Sequence, residues 1–283
     1  MDDFLSIMLN IARDGGAIAL QLIDESCPQL KADDSVITKS DRAVSALAHE
    51  RLALLLKTGR HILIDEEDPR RGEYLDQGLL ERTPFIWSVD PIDGTRAYAN
   101  RMPHYGISIG LIRDLKPWMG VVYFPSLKEL FYSDGTEAFF VTKAFSSEER
   151  KTKIVPVEEI ISSRSVFITS DELIEKFIWS SKDCRIMVFA SAVVEFAWPA
   201  IGRGCGSLSS VHLWDFAGAW PIFRQAGLEL RSLEGKVLDR LDASLFEGEP
   251  RPWKLKEYYI LSSAKNYAPL RARLERRGSV DLK

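Results

Sequence analysis

Trp87-Ser88-Val89-Asp90-Pro91-Ile92-Asp93-Gly94-Thr95 decides how this chain is read, because it sets two carboxylates, a proline and a glycine at the end of an apolar run. Pro84 to Val89 is apolar and β-prone, so it reads as a strand that delivers Asp90 to its end. Pro91 fixes φ and predicts a turn that carries Asp93 back beside Asp90. Gly94 permits close approach of backbone to a ligand, and Thr95 to Tyr98 reads as the start of a helix whose free N–H groups can face an anion. Such an arrangement suits a phosphate lying beside metal ions.

Acid recurs on both sides of this stretch. Upstream, Ile62-Leu63-Ile64 feeds Asp65-Glu66-Glu67-Asp68; downstream, Leu213-Trp214-Asp215 opens a predicted helix from Phe216 to Ala226, ended by Gly227. Taken singly, each piece has a plainer reading: Asp65 to Asp68 as a solvated loop, Asp215 as a helix cap, Asp90 or Asp93 as turn residues. Taken together they imply a shared pocket, in which unneutralised carboxylates would repel one another and a phosphate dianion. A divalent cation removes that conflict, and magnesium, which joins a few carboxylates to substrate phosphate, is the expected ion.

The rest of the chain frames this site. Apolar residues from Phe4 to Leu22 recur at helical spacing, interrupted by Gly15-Gly16, which suggests a bend; a second helix follows Asp41, with Ser40 and Asp41 as N-cap oxygens. Strand-like runs at 61–64, 85–89, 106–112, 119–123 and 129–132 predict a large antiparallel sheet. After about residue 150 the rhythm becomes strand, helix, strand: 166–168, a helix over 173–179, 186–189, and a helix over 190–201. The expected division is an N-terminal α+β half, 1–150, with most of the acid, and a C-terminal α/β half, 151–283, with Asp215 and the specificity region. The site is expected where the halves meet.

Composition narrows the partners. The 283 residues are 46% hydrophobic, enough for a sizeable core, and a net charge of −4 gives no basic excess for tracking nucleic acid. Cys27, Cys184 and Cys205 form no C-x-x-C pair, and no run approaches a membrane span. The acidic start lacks a signal-peptide pattern, so a soluble, cytoplasmic protein is expected.

These residues resemble the inositol monophosphatase family of lithium-sensitive, magnesium-dependent phosphatases. The shared motifs are Trp87 to Thr95 (W-x-V-D-P-I-D-G-T), the Glu66-Glu67 pair, Trp214-Asp215-Phe216-Ala217-Gly218 through Ala226-Gly227, and Lys31 to Asp41; Pro103 to Tyr123 is also similar. The resemblance implies an alternating layered helix–sheet sandwich of α+β or α/β class and a homodimer. It also implies two or three Mg²⁺ ions held by Glu66, Asp90, Asp93, Asp215 and the Ile92 carbonyl. Glu66, Thr95 and Asp41 would act in catalysis, the last two orienting the attacking water, and Asp93, Gly94, Thr95, Ala192 and Asp215 would meet substrate. Asp41 reads equally as a helix cap. The implied reaction is in-line attack of activated water on a phosphomonoester, without a covalent phosphoenzyme.

Departures from that pattern lie around Ala190-Ser191-Ala192, Gly202-Arg203-Gly204-Cys205 and Ser207 to Ser210, where the family's usual acids are missing. Inositol or sugar phosphate is the first expectation for the substrate. A 3′(2′),5′-bisphosphate nucleotidase, a fructose-1,6-bisphosphatase, a histidinol-phosphatase and a catalytically silent metal-binding protein are the alternatives. Pro221 inside the Asp215 helix predicts a kink near Ala217, because an interior proline costs about 3 kcal/mol. Arg203 reads as a surface ion-pairing residue, Asp65 as added charge near the metals or as a solvated side chain, His104 and His212 as structural histidines, and Trp198 and Trp220 as core or interface. Gly106-Ile107-Ser108-Ile109-Gly110 fits the serine-hydrolase G-x-S-x-G pattern, but alternation continuing into Leu111-Ile112 argues for plain strand. The Asp90–Asp93 spacing does not fit a D-x-D phosphatase nucleophile.

Overall fold

A computed structural model describes residues 3–25, 28–30, 36–157, 160–180 and 183–277. Cys27 and the Lys31 to Ser35 part of the N-terminal motif lie outside the described residues. Helix α1 (Phe4–Leu22), capped by Asp3, runs without interruption through Gly15-Gly16. Those glycines admit close neighbours: a Cβ on Gly16 would stand 2.4 Å from the Tyr123 ring, and one on Gly15 3.0 Å from Ile107 and Val44. The short strands β1 (Gln29–Leu30) and β2 (Val36–Ile37) pair with each other ahead of α2 (Lys39–Leu56).

A seven-stranded sheet follows, in chain order: β3 (His61–Asp65), β4 (Phe85–Asp93), β5 (Gly106–Arg113), β6 (Lys116–Phe124), β7 (Glu129–Ser133), β8 (Ala138–Thr142) and β9 (Arg150–Lys153). It is antiparallel except at one edge, where β3 and β4 are parallel, so the expectation of a wholly antiparallel sheet is corrected there. Helix α3 (Gln77–Arg82) makes that crossover, and α4 (Thr95–Ala99) leaves the end of β4.

The second sheet has five strands in the order β12-β10-β13-β15-β14. They are β10 (Ser165–Thr169), β12 (Cys184–Val188), β13 (Gly206–Ser209), β14 (Leu228–Ser232) and β15 (Tyr259–Ser263). The predicted helix over 173–179 is instead α5 (Glu172–Lys176) followed by β11 (Phe177–Trp179), which pairs with β16 (Leu274–Arg276). Phe177 is buried, Ile178 exposed and Trp179 stacked on Phe167, an alternation of period two that favours strand. Helix α6 (Ala192–Ala197) passes into a tight 3₁₀ turn over Trp198–Ile201, where Pro199 cannot continue an α-helix.

The Asp215 helix is broken, as Pro221 predicted. Helix α7 (Leu213–Ala217) stops at Gly218, and α8 (Trp220–Gln225) restarts with Pro221 in its first turn, where a missing N–H loses no bond. Helix α9 (Ala264–Arg271) is the last helix among the described residues.

Alternating strand residues sort these elements into layers. Trp87, Val89, Ile107 and Ile109 pack with α1 and α2, while Ile86, Val122 and Phe131 face the layer of α6, α7 and α8. That layer also receives Ile168 and Leu261 from the second sheet, whose other face gives Phe167 and Ile260 to α5 and α9. No helix among the described residues is long and apolar enough to cross a membrane.

Candidate active site

Residues three apart in a regular strand point to opposite faces. Asp90 and Asp93 escape this because β4 bulges between them: Asp90 pairs with Ser108 and Asp93 with Gly106, three steps on β4 against two on β5. The extra residue restores both carboxylates to one side, and Pro91, without an N–H, is tolerated at the bulge. The predicted turn at Pro91 is therefore a bulge within a strand that continues to Asp93. Gly94 then adopts φ +76° and caps α4; a Cβ there would stand 2.9 Å from Ser191 Cβ, so this backbone meets the start of α6 closely.

Parallel register places the next acid. Asp65 is level with Val89, and the Glu66 N–H donates to the Val89 carbonyl at 3.2 Å, so Glu66 follows alongside Asp90. Asp215 comes from α7, which lies almost directly on the backbone of β5 and β6. A Cβ on Gly110 would stand 2.6 Å from the Ala217 carbonyl carbon, and one on Gly120 2.0 Å from the Gly218 oxygen. Ser108 Oγ donates to the Trp214 carbonyl at 3.0 Å. The G-x-S-x-G stretch is thus the strip on which the Asp215 helix rests, within continuous strand and with Ser108 fully buried.

Asp90, Asp93 and Asp215 offer carboxylate oxygens that all lie within 4.8 Å of one another. Burial, reinforced by the charges of Glu66, Asp93 and Asp215, pushes the Asp90 carboxyl well above its usual range; burial and Asp215 do the same to Asp93. Asp93 is steadied by Ser191 Oγ at 2.6 Å and by the Val193 N–H, and Asp215 Oδ2 accepts the His212 N–H at 2.8 Å. Asp90 Oδ1, by contrast, is buried with no hydrogen-bond partner. An all-oxygen donor set with an orphaned buried carboxylate oxygen fits a hard divalent cation.

Beside this cluster, Asp41 is buried at the third position of α2, where its Oδ2 accepts the Thr38 N–H at 2.7 Å in a capping box. Its Oδ1 lies 3.1 Å from Thr95 Oγ1, so the helix-cap role and a place at the site coexist. Burial raises its pKa to about 6. Thr95 Oγ1 also lies 2.9 Å from the Ile92 carbonyl. Ala192, the first residue of α6, is partly buried and packs against the core; it is Ser191 and the Ala190 carbonyl that meet Gly94.

A family profile described as "Inositol monophosphatase family" matches residues 3–274. The chain belongs to the inositol monophosphatase family. Its fold is the family's layered α+β fold, and the chain is a phosphatase, a phosphoric monoester hydrolase. Among curated relatives, the 3′(2′),5′-bisphosphate nucleotidase CysQ of Salmonella typhimurium is 29% identical over 246 residues, which are 83% of this chain and 93% of that one. Inositol monophosphatase 2 of Solanum lycopersicum is 28% identical, with 84% and 88% covered. Among solved structures, an IMPase of Thermotoga maritima superposes with a TM-score of 0.71 at 22% identity, covering 95% of this chain and 96% of that one.

Within this inositol monophosphatase family member, two carboxylates that sequence reasoning misplaced or missed stand out. Asp65 is not solvated: it is fully buried and accepts from Ser45 Oγ at 2.7 Å. Glu195, one turn along α6 from Ser191, is buried, hydrogen-bonded by Ser209 Oγ, and pushed well above the usual carboxylate range by burial, with Asp93 and Asp215 among the charges it feels. The region around 190–210 therefore does bring an acid near the cluster, from the helix rather than from β13. The i, i+4 spacing of Ser191 and Glu195 was the available signal. Arg203 stays out of the site, pairing with Glu129 at 2.6 Å and lying over Trp198.

Proposed function

We propose that this phosphatase is a Mg²⁺-dependent phosphomonoesterase acting on a small phosphorylated metabolite, an inositol phosphate or sugar phosphate. The observation that carries the reading is the convergence of Asp90, Asp93 and Asp215 around the unpartnered Asp90 Oδ1. Glu66, Asp90, Asp93, Asp215 and the Ile92 carbonyl would hold two or three magnesium ions. Bound there, magnesium neutralises phosphate charge and makes a nearby water more acidic.

The chain's own groups supply the rest. With the Ile92 carbonyl engaged, the Thr95 hydroxyl donates to Asp41 and keeps a lone pair for a hydrogen of the attacking water. Asp41, with its pKa near 6, is ionised at neutral pH and can take up a proton through that hydroxyl. The leading N–H groups of α4, at Gly94 and Thr95, lack intrahelical partners and suit the oxygens of a phosphate group. Ser191 stands against Gly94 on the other side, and Ala192, next to it in the chain, would meet substrate.

The reading includes lithium inhibition, a homodimer and a cytoplasmic setting. A phosphate-release screen over inositol phosphates, sugar bisphosphates, 3′-phosphonucleotides and histidinol phosphate, with Mg²⁺, EDTA and Li⁺, tests it. Release that needs Mg²⁺ and is lost in Asp90→Asn supports it. Full activity in Asp90→Asn, or none on any phosphomonoester, rejects it, the second outcome leaving a silent binding protein. The same screen decides between the inositol and nucleotide names that the relatives carry.

A further inference from the structure

Asp41, Ser45 and His49 follow one another at intervals of four along α2 and so share one face of it. Ser45 Oγ donates to Asp65 Oδ2 at 2.7 Å, and His49 Nε2 lies 3.4 Å from the same oxygen. The other carboxylate oxygen, Oδ1, accepts the Glu67 N–H at 2.8 Å, and the Asp65 carbonyl accepts the Asp68 N–H at 3.1 Å. The turn that carries Glu66 is thus wound around the Asp65 carboxylate, while the Glu66 N–H ties it to Val89 on the neighbouring strand.

Asp65 is completely enclosed, at 0% exposure. A carboxylate out of water is tolerated only when donors surround it, and here they come from two elements that have no sequence continuity: α2 and the end of β3. One side chain therefore sets the distance between the helix that presents Asp41 and the turn that presents Glu66. Asp41 is the acid that would take the proton of the attacking water, and Glu66 is one of those that would hold magnesium.

We infer that Asp65 is a positioning residue, whose carboxylate locks α2 to the end of β3 and so holds Asp41 and Glu66 in register across the site. The inference rests on the roles given to Asp41 and Glu66 under Proposed function. Fully enclosed by Ser45, His49 and the Glu67 N–H, Asp65 would act through its neighbours, as outer partners of metal ligands generally do.

The test compares native protein with Asp65→Ala, Asp65→Asn and Ser45→Ala. Three quantities are read well below each variant's Tm: Mg²⁺ affinity of the metal-free protein by calorimetry, kcat, and substrate KM. For Asp65→Ala the expected result is a Mg²⁺ affinity and a kcat each down roughly tenfold, with KM within about twofold. Asp65→Asn, which keeps an acceptor for Ser45, should recover most of that loss. Ser45→Ala should reproduce a smaller part, roughly threefold, and it carries the test if Asp65→Ala does not fold. Folded variants that lose Tm but keep native Mg²⁺ affinity and kcat assign Asp65 to stability alone and overturn the inference. Native protein that binds no Mg²⁺ overturns the parent reading and this one with it, and the two failures are told apart by the native control.

Discussion

Ser108 Oγ bonds to the carbonyl oxygen of Trp214, the residue before Asp215, at 3.0 Å. Through this bond β5, an inner strand of the large sheet, helps to fix where the last acid of the cluster stands. The flanking Gly106 and Gly110 keep that face of β5 bare enough for α6 and α7 to lie on it: a Cβ on Gly106 would meet Val193 at 3.0 Å, and one on Gly110 the Ala217 backbone at 2.6 Å. Gly110→Ala should therefore push α7 outward, destabilise the protein by about 1–3 kcal/mol through overpacking, and weaken Mg²⁺ binding. Urea unfolding and calorimetry check this. Native stability together with native Mg²⁺ affinity in Gly110→Ala would show that the strip is not tight.

Asp90→Asn should separate catalysis from stability. Asp90 is buried among Glu66, Asp93 and Asp215, whose charges oppose its ionisation. Removing its charge relieves that repulsion, so the metal-free variant should melt at or above the native Tm. Phosphate release should fall on the order of a hundredfold or more, and the Mg²⁺-induced rise in Tm should disappear. A variant that melts lower in EDTA yet keeps its Mg²⁺ response contradicts both halves of the expectation.

Metal-free protein should lose stability as pH rises, the reverse of the usual carboxylate behaviour. Burial raises Asp41 to about 6 and lifts Asp90, Asp93 and Glu195 well above the ordinary range. Near pH 5 the folded chain holds protons on these groups that the unfolded chain has released. Fewer protons on the unfolded state give a negative slope of unfolding free energy with pH. The Asp41 contribution is complete below about pH 4 and is lost as pH passes about 6. Tm in EDTA from pH 4.5 to 8, with Asp41→Asn as the control of shallower slope, measures it. Added Mg²⁺ should restore Tm most at the alkaline end, and a Tm in EDTA that climbs from pH 4.5 to 7.5 would exclude the raised values.

What could be read from sequence divides along physical lines. The three acids of the cluster were legible because type and spacing carry them: Asp90 and Asp93 after an apolar run, Asp215 at a helix start; Glu66, which follows β3 alongside Asp90, was legible in the same way. Pro221 likewise betrayed the break after Ala217, since it removes an N–H wherever it sits. The bulge at Pro91 was not legible, because it exists only relative to the register of β5. Asp65 was misplaced and Glu195 missed for a similar reason. Whether a carboxylate faces water or a serine on another element depends on contacts such as Ser45 to Asp65 and Ser209 to Glu195; the spacing of Ser191 and Glu195 marks a shared helix face but not the serine on β13 that meets it. Phe177 to Trp179 read as helix because its partner, Leu274 to Arg276, lies nearly a hundred positions away in sequence.

Thr95 offers the sharpest test of how water is handled. Its hydroxyl stands between Asp41 at 3.1 Å and the Ile92 carbonyl at 2.9 Å, and one proton can satisfy only one of them at a time. Thr95→Val keeps the shape and removes that proton, leaving buried Asp41 short of a donor, so the carboxyl should hold its own proton to higher pH. The expected outcome is a kcat lower by roughly 10²-fold, KM within a few-fold, and an acidic limb of the kcat profile displaced upward from its native position. Thr95→Ser retains the hydroxyl and should return most of the rate with the native limb. Were Thr95→Val to lose rate while its pH profile stayed in place, the hydroxyl would matter to the water directly and its link to Asp41 would carry no catalytic weight.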